Sequence, residues 1–248
     1  MKKINLTLLA CLLFALLPTN AQKIEDAYDY SDFKVKAKTW KPLTSYEEKL
    51  NDCQIPNILL TSMSTEGMVE TCLTFPFYID IFAFDDIQDG FQKITSRFNG
   101  FEELYKRKDA GTIILNRYKS IQPDAFNNTW TNIQKGQFGW KITYIEMLLA
   151  QKEIITMLNK NERIDLLDNS LSYLKKKMDQ RELYGIDALE MTVLVMGRVL
   201  MVEEFAELNT KISNNLNLKS FIEEGVTNET NSLDEIINIT KQYISINQ

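Results

Sequence analysis

The segment from Met191 to Val202 is apolar on nearly every side when it is drawn as a helix, and Arg198 is its one charged residue. A helix that is apolar all round is buried among other elements instead of lying on a surface. The sequence therefore predicts a central buried helix, within a longer helical stretch over residues 186–208.

Signals for turns and strands are sparse in the rest of the chain, which has nine glycines and five prolines among 248 residues. Helix-start signals are frequent: Thr44 with Glu47 and Ser232 with Glu235 fit the capping-box pattern, and Ser64 and Asp85 fit N-caps. We predict an all-α fold of antiparallel helical hairpins, stacked as a right-handed α-α bundle or a short solenoid-like array.

The N-terminus has the pattern of a secretory signal peptide. Lys2 and Lys3 precede an apolar run over residues 6–17, and small residues lead up to Ala21. We predict cleavage between Ala21 and Gln22. Cys11 ends a lipobox-like sequence, but the apolar run continues beyond it, so lipidation is disfavoured. The expected location is the periplasm or the outer membrane.

The expected organisation is a signal peptide over 1–21, an extended polar arm over 22–42 and one helical domain over 43–248. Turn residues concentrate at 123–137, so two lobes are expected, over 43–122 and 138–248. No stretch after the leader is long and apolar enough to span a bilayer. The net charge of −6 disfavours nucleic acid and anionic membranes as partners.

Four segments together carry a resemblance to a family: Asn51–Pro56, Ser64–Leu73, Ala83–Asp86 and Glu103–Arg107. They resemble an uncharacterised family of exported helical proteins from Gram-negative anaerobes, over residues 40–120 and more loosely beyond. No activity comes with that family, so the resemblance implies export and a helical fold and transfers no site.

The absence of histidine removes every site that needs an imidazole, including catalytic triads and most zinc sites. No calcium-binding or phosphate-binding loop is present, so we expect no metal and no cofactor. Ser172 and Lys175 match the S-x-x-K pattern of penicillin-binding proteins, but the strands of that fold are missing, and we attribute the match to chance. The basic runs 106–108 and 175–177 are expected to be solvated helix ends.

Arg198 has no charged neighbour three or four residues away on its helix. A buried guanidinium needs a partner. We predict that it pairs with Glu146 on a second helix, or with Glu190 further along its own helix. A structural ion pair is the simpler interpretation, and a site for a ligand carboxylate is the alternative.

Two cysteines remain after cleavage, Cys53 and Cys72. In an exported protein they form either a disulfide or two small buried thiols.

These features favour an exported binding or scaffold module that holds an envelope protein or peptide in a groove between helices, with a glycan as the second choice of ligand. The alternative is a carboxylate-dependent glycan hydrolase or lyase. Its candidate acids are the interior-leaning glutamates Glu146, Glu190, Glu203 and Glu204.

Overall fold

A computed structural model of the protein describes residues 25–39, 45–127, 129–225 and 230–247. Every regular element in these ranges is a helix, which confirms the all-α class. The chain divides into two compact units between Ala110 and Gly111. The predicted seam at 123–137 is therefore misplaced and lies inside the second unit, where residues 132–137 already belong to a helix. The predicted signal peptide lies outside the described residues.

The described residues of the first unit form six α-helices and a 3₁₀-helix. These are α1 (Ser31–Thr39), α2 (Tyr46–Asn51), α3 (Asn57–Ser62), α4 (Thr65–Leu73), the 3₁₀-helix (Tyr78–Ala83), α5 (Ile87–Thr95) and α6 (Asn99–Leu104).

The caps of the first unit follow the sequence signals with small shifts. Ser64 caps α4 as predicted, accepting a hydrogen bond from the backbone N–H of Gly67. The capping box of α2 is formed by Ser45 and Glu48, one residue later than predicted. Thr44, which the prediction used, lies outside the described residues.

The predicted extended arm is wrong in its described part. Residues 31–39 form α1, and Tyr30 and Phe33 are buried in the first unit. The Phe33 ring meets Phe77 edge to face, 5.7 Å between centroids. Tyr30 and Phe33 are therefore part of the core, and their burial orders the chain around them.

A cluster of aromatic rings lies in the core of the first unit. Phe75 and Phe98 stack in parallel at 4.2 Å between centroids, and Phe101 meets both rings edge to face. Offset and edge-to-face pairs add specific geometry to the burial of apolar area. This cluster holds short helices together that are too short to be stable alone.

The described residues from Ala110 onward form eight α-helices, the first of which begins at the last residue of the first unit. These are α7 (Ala110–Lys119), α8 (Asn132–Leu149), α9 (Lys152–Met157), α10 (Lys160–Met178), α11 (Arg181–Val202), α12 (Ala206–Asn214), α13 (Leu216–Glu224) and α14 (Thr230–Asn247).

Helix α11 is the predicted central helix, with side chains buried on all sides from Met191 to Val199 except Arg198. Helices α10 and α11 form an antiparallel hairpin, since Lys177 meets Ala188 near the turn and Arg163 meets Glu203 at the far end. Helix α8 runs parallel to α11 instead. One antiparallel hairpin is thus present in the second unit, and the predicted stacking of successive hairpins stays a prediction.

Two backbone features bound α11. Gly185 has φ 70° and ψ 176°, a conformation available essentially to glycine alone, and it breaks the helix after its first turn. Beyond the C-terminus, Glu204 has φ 52°, while the N–H of Phe205 reaches the carbonyl of Leu200. That is a Schellman ending with glutamate where glycine is usual. This ending stops α11 at Val202, short of the predicted 208.

The last helix begins at Thr230, earlier than the predicted start at Leu233. Ser232 is therefore inside the helix, and its buried hydroxyl has no hydrogen-bond partner in the described part of the chain. Glu235 pairs with Lys211 at 3.3 Å. The predicted capping box of Ser232 and Glu235 is wrong.

Candidate functional site

The second unit buries an ion pair between α8 and α10. Lys177 Nζ lies 2.6 Å from Glu146 Oε2, and neither side chain is exposed to solvent. The ammonium also donates to the Thr192 hydroxyl at 2.9 Å and to the Ala188 carbonyl at 3.1 Å, both on α11. All three donor hydrogens of the lysine thus have acceptors, as burial of a charge requires.

The other oxygen of Glu146 is also occupied. Tyr118 donates to Oε1 at 2.8 Å, and Thr192 approaches the same oxygen at 2.9 Å. Burial, followed by the charge of Glu146, raises the pKa of Tyr118 well above its usual value. Burial lowers the pKa of Lys177, and the charge of Glu146 opposes that shift. A carboxylate enclosed in this way positions four helices and cannot touch a glycan.

The predicted pairing of Arg198 with Glu146 is wrong, because Lys177 occupies that carboxylate. Arg198 is half-buried and donates to three backbone carbonyls, those of Ile222, Ala150 and Glu223. It thereby satisfies helix-end carbonyls that lack partners within their own helices.

Glu190 does not provide the alternative partner. Burial and the charge of Asp187 raise its pKa, whereas a paired arginine would lower it. Asp187 and Glu190 are three residues apart on α11, just beyond the break at Gly185, so the two acids share one helix face.

The remaining candidate acids differ in environment. Glu203 is 9 % exposed and is held by the guanidinium of Arg163 and the hydroxyl of Tyr243. These partners lower its pKa against the effect of burial, so it is a fixed anion that links α10, α11 and α14. Glu204 is the residue with positive φ at the helix ending.

Cys53 and Cys72 are both buried thiols in the first unit and are not joined by a disulfide. Burial raises the pKa of Cys72 well above its usual value. Of the two predicted alternatives, the structure has the buried thiols.

The S-x-x-K match lies on the surface as predicted, whereas the basic run 175–177 is only partly exposed. Ser172 and Lys175 lie exposed on α10. Lys176 is a surface residue that pairs with Asp124 at 3.0 Å, but its neighbour Lys177 is fully buried. Lys177 was not among the predicted site residues, although it lies four positions after Tyr173 and three after Leu174, on the buried face of α10.

The N-terminal half of α8 has an exposed apolar face. Ile133 is 62 % exposed and Trp140 is 37 % exposed, and they are seven residues apart, hence on one side of the helix. Gly136 lies between them, and a side chain added there would meet no atom within 4 Å. The face therefore has a gap between two large apolar side chains.

Gln137 borders this gap. The residue is half-buried, and its amide Nε2 and Oε1 atoms are both shielded from solvent without a hydrogen-bond partner in the described part of the chain. An unpaired buried amide is unfavourable by about 1–3 kcal/mol. This side chain therefore has one donor group and one acceptor atom whose hydrogen-bonding capacity is unused in the described part of the chain.

A second exposed apolar face belongs to the first unit. Helix α3 has no buried residue, and Ile58 is 79 % exposed and Leu59 is 43 % exposed. The guanidinium of Arg107 fixes the end of this helix by donating to the carbonyls of Leu60 and Met63, at 3.0 and 2.7 Å.

Just before α3, Asn99 holds Ile55 through two hydrogen bonds, at 3.0 and 2.8 Å. Together with the Arg107 bonds they fix both ends of an exposed helix. Its position therefore depends on hydrogen bonds at its ends and not on burial of its side chains.

Among the described residues, no group of three cysteine, aspartate and glutamate side chains lies close enough together to hold a metal ion. In the same part of the chain, no helix combines the length and the hydropathy needed to cross a bilayer.

In comparisons with protein-family models, curated proteins and solved structures, the chain has no significant match.

Proposed function

We propose that the protein is an exported helical binding module of the cell envelope, in the periplasm or at the outer membrane, that holds a peptide or an extended protein segment on the exposed face of α8. The leader pattern of the first 21 residues supports export. The face formed by Ile133, Gly136, Gln137 and Trp140 supports binding.

The unpaired amide of Gln137 is the observation that carries the proposal. A peptide group presents one N–H donor and one C=O acceptor, which complement the Oε1 and Nε2 atoms of a glutamine. Binding requires the buried amide to rotate toward the open space beside Gly136, where an added side chain would meet no atom within 4 Å. Binding then removes the cost of the unpaired amide.

The two flanking residues supply apolar contact. Trp140 offers a large surface at small cost in side-chain entropy, and tryptophan is enriched among residues that dominate binding energies. Ile133 lies two helical turns away on the same side. A bound segment with apolar side chains on either side of one peptide group fits this spacing.

The test uses Gln137→Met, which keeps the length of the side chain and removes its polar atoms. Peptides are first selected from a displayed library against the unaltered protein, and their dissociation constants are then measured by calorimetry. The variant is expected to bind about tenfold more weakly, a loss of about 1.4 kcal/mol. Its free energy of unfolding is expected to rise, since the unpaired amide is gone.

Leu216→Ala serves as the matched control, because Leu216 is an exposed apolar residue of α13, 80 % exposed, away from α8. The control is expected to keep the affinity of the unaltered protein. If Gln137→Met lowers stability and leaves affinity unchanged, Gln137 is structural and the proposal fails.

A second candidate function is hydrolysis or elimination on a glycan, and Glu190 with Asp187 is the observation that favours it. A carboxyl group with a raised pKa beside a second carboxylate is the arrangement of a general acid and its partner. Under this candidate, Glu190→Gln and Asp187→Asn abolish release of dye from labelled peptidoglycan, whereas Glu182→Gln does not. Equal release by all three variants excludes it.

A further inference from the structure

The exposed face of α8 is symmetric about its own centre. Ile133 and Trp140 have their midpoint between residues 136 and 137, and Gly136 and Gln137 have the same midpoint. At about 100° of rotation per residue, the members of each pair also point to either side of one common direction. A twofold axis along that direction places every residue of the face opposite its counterpart in a second copy, so the face is complementary to itself.

Two antiparallel copies of α8 meet about this axis in matching pairs. Trp140 of each copy lies on Ile133 of the other, which covers the large apolar side chains that the single chain exposes. Gln137 of each copy enters the open space beside Gly136 of the other, where an added side chain meets no atom within 4 Å in the single chain. The gap in each face is thus filled by a side chain of the other face.

The amide of Gln137 is complementary to itself as well. Its Nε2 donor and Oε1 acceptor are shielded from solvent without a partner in the described part of the chain. Once rotated into the open space, two such amides across a twofold axis form two reciprocal hydrogen bonds, from Nε2 of each to Oε1 of the other. The symmetric pair removes the cost of an unpaired amide from both copies.

The charge of the chain favours this face for contact with a second copy. Two copies with a net charge of −6 repel each other unless they meet where no like charges are opposed. The four residues of the face are uncharged, and Lys141, beside them on α8, falls opposite Asn132 of the second copy. Lys135 is about 200° around the helix from Ile133 and points away from the contact.

We propose that two copies of the protein close each other's peptide-binding face through a twofold contact between their α8 helices, so that dimer formation and peptide binding compete. This inference rests on the proposed function, because it supplies the regulation of the same face. Two helical turns bury less area than a permanent interface needs, so the dimer is weak and a peptide can displace it. We expect a dissociation constant between about 1 μM and 1 mM.

Sedimentation velocity over a concentration series tests the contact with charge variants at its centre. Gln137→Glu and Gln137→Lys each place two like charges beside the twofold axis, and each is expected to weaken dimerisation about tenfold or more. An equimolar mixture of the two variants is expected to restore the dimer, because a carboxylate then meets an ammonium. Mixing also separates loss of the contact from misfolding, since a misfolded variant is not restored by its partner.

Gln134→Glu is the matched control. It makes the same change on the same helix, about 100° around from Ile133, and a glutamate there keeps the capping box with Thr131. The control is expected to dimerise like the unaltered protein. An equal loss of dimer in Gln134→Glu and Gln137→Glu, or a mixture that stays monomeric, overturns the twofold contact.

The library-selected peptide is then added to the unaltered protein and is expected to convert dimer into monomer. Peptide bound to an intact dimer overturns the competition. A protein that binds the peptide but stays monomeric up to about 1 mM overturns the inference and leaves the proposed function standing. A dimer that mixing restores, in a protein for which no peptide is selected, supports the twofold contact and contradicts the proposed peptide binding.

Discussion

Lys177 and Glu146 join α10 to α8 by an ion pair of 2.6 Å that is closed to solvent on both sides. The lysine comes from a run of three, and its neighbour Lys176 lies on the surface with Asp124. One helix position thus separates a buried charge from an exposed one. Substitution of each of the two lysines in turn therefore tests whether the structure places the buried charge correctly.

Lys177→Met is expected to lower the free energy of unfolding by about 3–5 kcal/mol, because Glu146 remains buried without its cation. Chemical denaturation measures the loss. Lys176→Met, at a side chain 29 % exposed, is expected to cost less than about 1 kcal/mol. The double variant Lys177→Met, Glu146→Leu is expected to recover much of the stability, since it removes both charges. Equal effects of the two single variants would contradict the buried pair.

Stability is expected to fall above pH 10 through the buried tyrosines. Burial raises the pKa of Tyr173 to about 12, and its hydroxyl donates to the carbonyl of Tyr118. An unfolded tyrosine ionises near pH 10, so between about pH 10 and 12 the unfolded state loses protons that the folded state keeps. The contribution of the protonated, buried tyrosines to the free energy of unfolding is therefore fully present below about pH 10 and is lost as the pH rises to about 12.

Denaturation at a series of alkaline pH values, with phenolate absorbance as a second signal, measures this slope. Tyr173→Phe removes one of the groups and is expected to reduce the slope above pH 10. An unchanged slope in this variant would show that Tyr173 ionises alike in both states.

Glu204→Gly is expected to stabilise the protein by about 1 kcal/mol, because φ 52° strains a residue with a Cβ atom. Glu204→Ala controls for loss of the charge, and the difference between the two variants isolates the backbone effect. Thermal unfolding gives the comparison. If alanine stabilises as much as glycine, the gain comes from the charge.

Arg107→Lys is expected to loosen α3. A lysine keeps the charge but cannot donate to the carbonyls of Leu60 and Met63 with a planar fork. We expect faster amide exchange over residues 57–63 and a loss of about 1–2 kcal/mol in unfolding free energy. Lys108→Met, at the exposed neighbouring position, is the control and is expected to leave exchange over α3 unchanged.

The sequence predicted the helical class and the central helix because both follow from local composition and period. Because the segment Met191–Val202 is apolar on nearly every side, it is stable only when other helices bury it. The start of α4 was equally local, since Ser64 acts only on the three residues that follow it.

The ion pair could not be predicted in the same way. Arg198 was singled out because its own helix offers no charged partner three or four residues away. In the structure it donates hydrogen bonds to backbone carbonyls of two other segments. Lys177 was overlooked because a run of lysines normally marks a solvated helix end. Which of several cations meets Glu146 depends on how helices cross, and that geometry is set by contacts far apart in sequence.

The division into units also depended on distant contacts. Residues 123–137 contain most of the turn chemistry, but Tyr184 donates to the carbonyl of Pro123 and Phe126 packs against Phe138. These contacts fix the loop to the second unit. Turn-forming residues mark where a chain bends, and they carry no information on whether a unit ends there.

The conformation of Gly185 predicts which residues homologues of this protein should share. Only glycine adopts φ 70° with ψ 176° readily, and the position lies three residues before the carbonyl that Lys177 reaches. Distant homologues that keep the buried pair should therefore retain a glycine eight places after the lysine and a threonine seven places after that glycine. A profile weighted on this spacing would detect diverged members where overall identity has vanished.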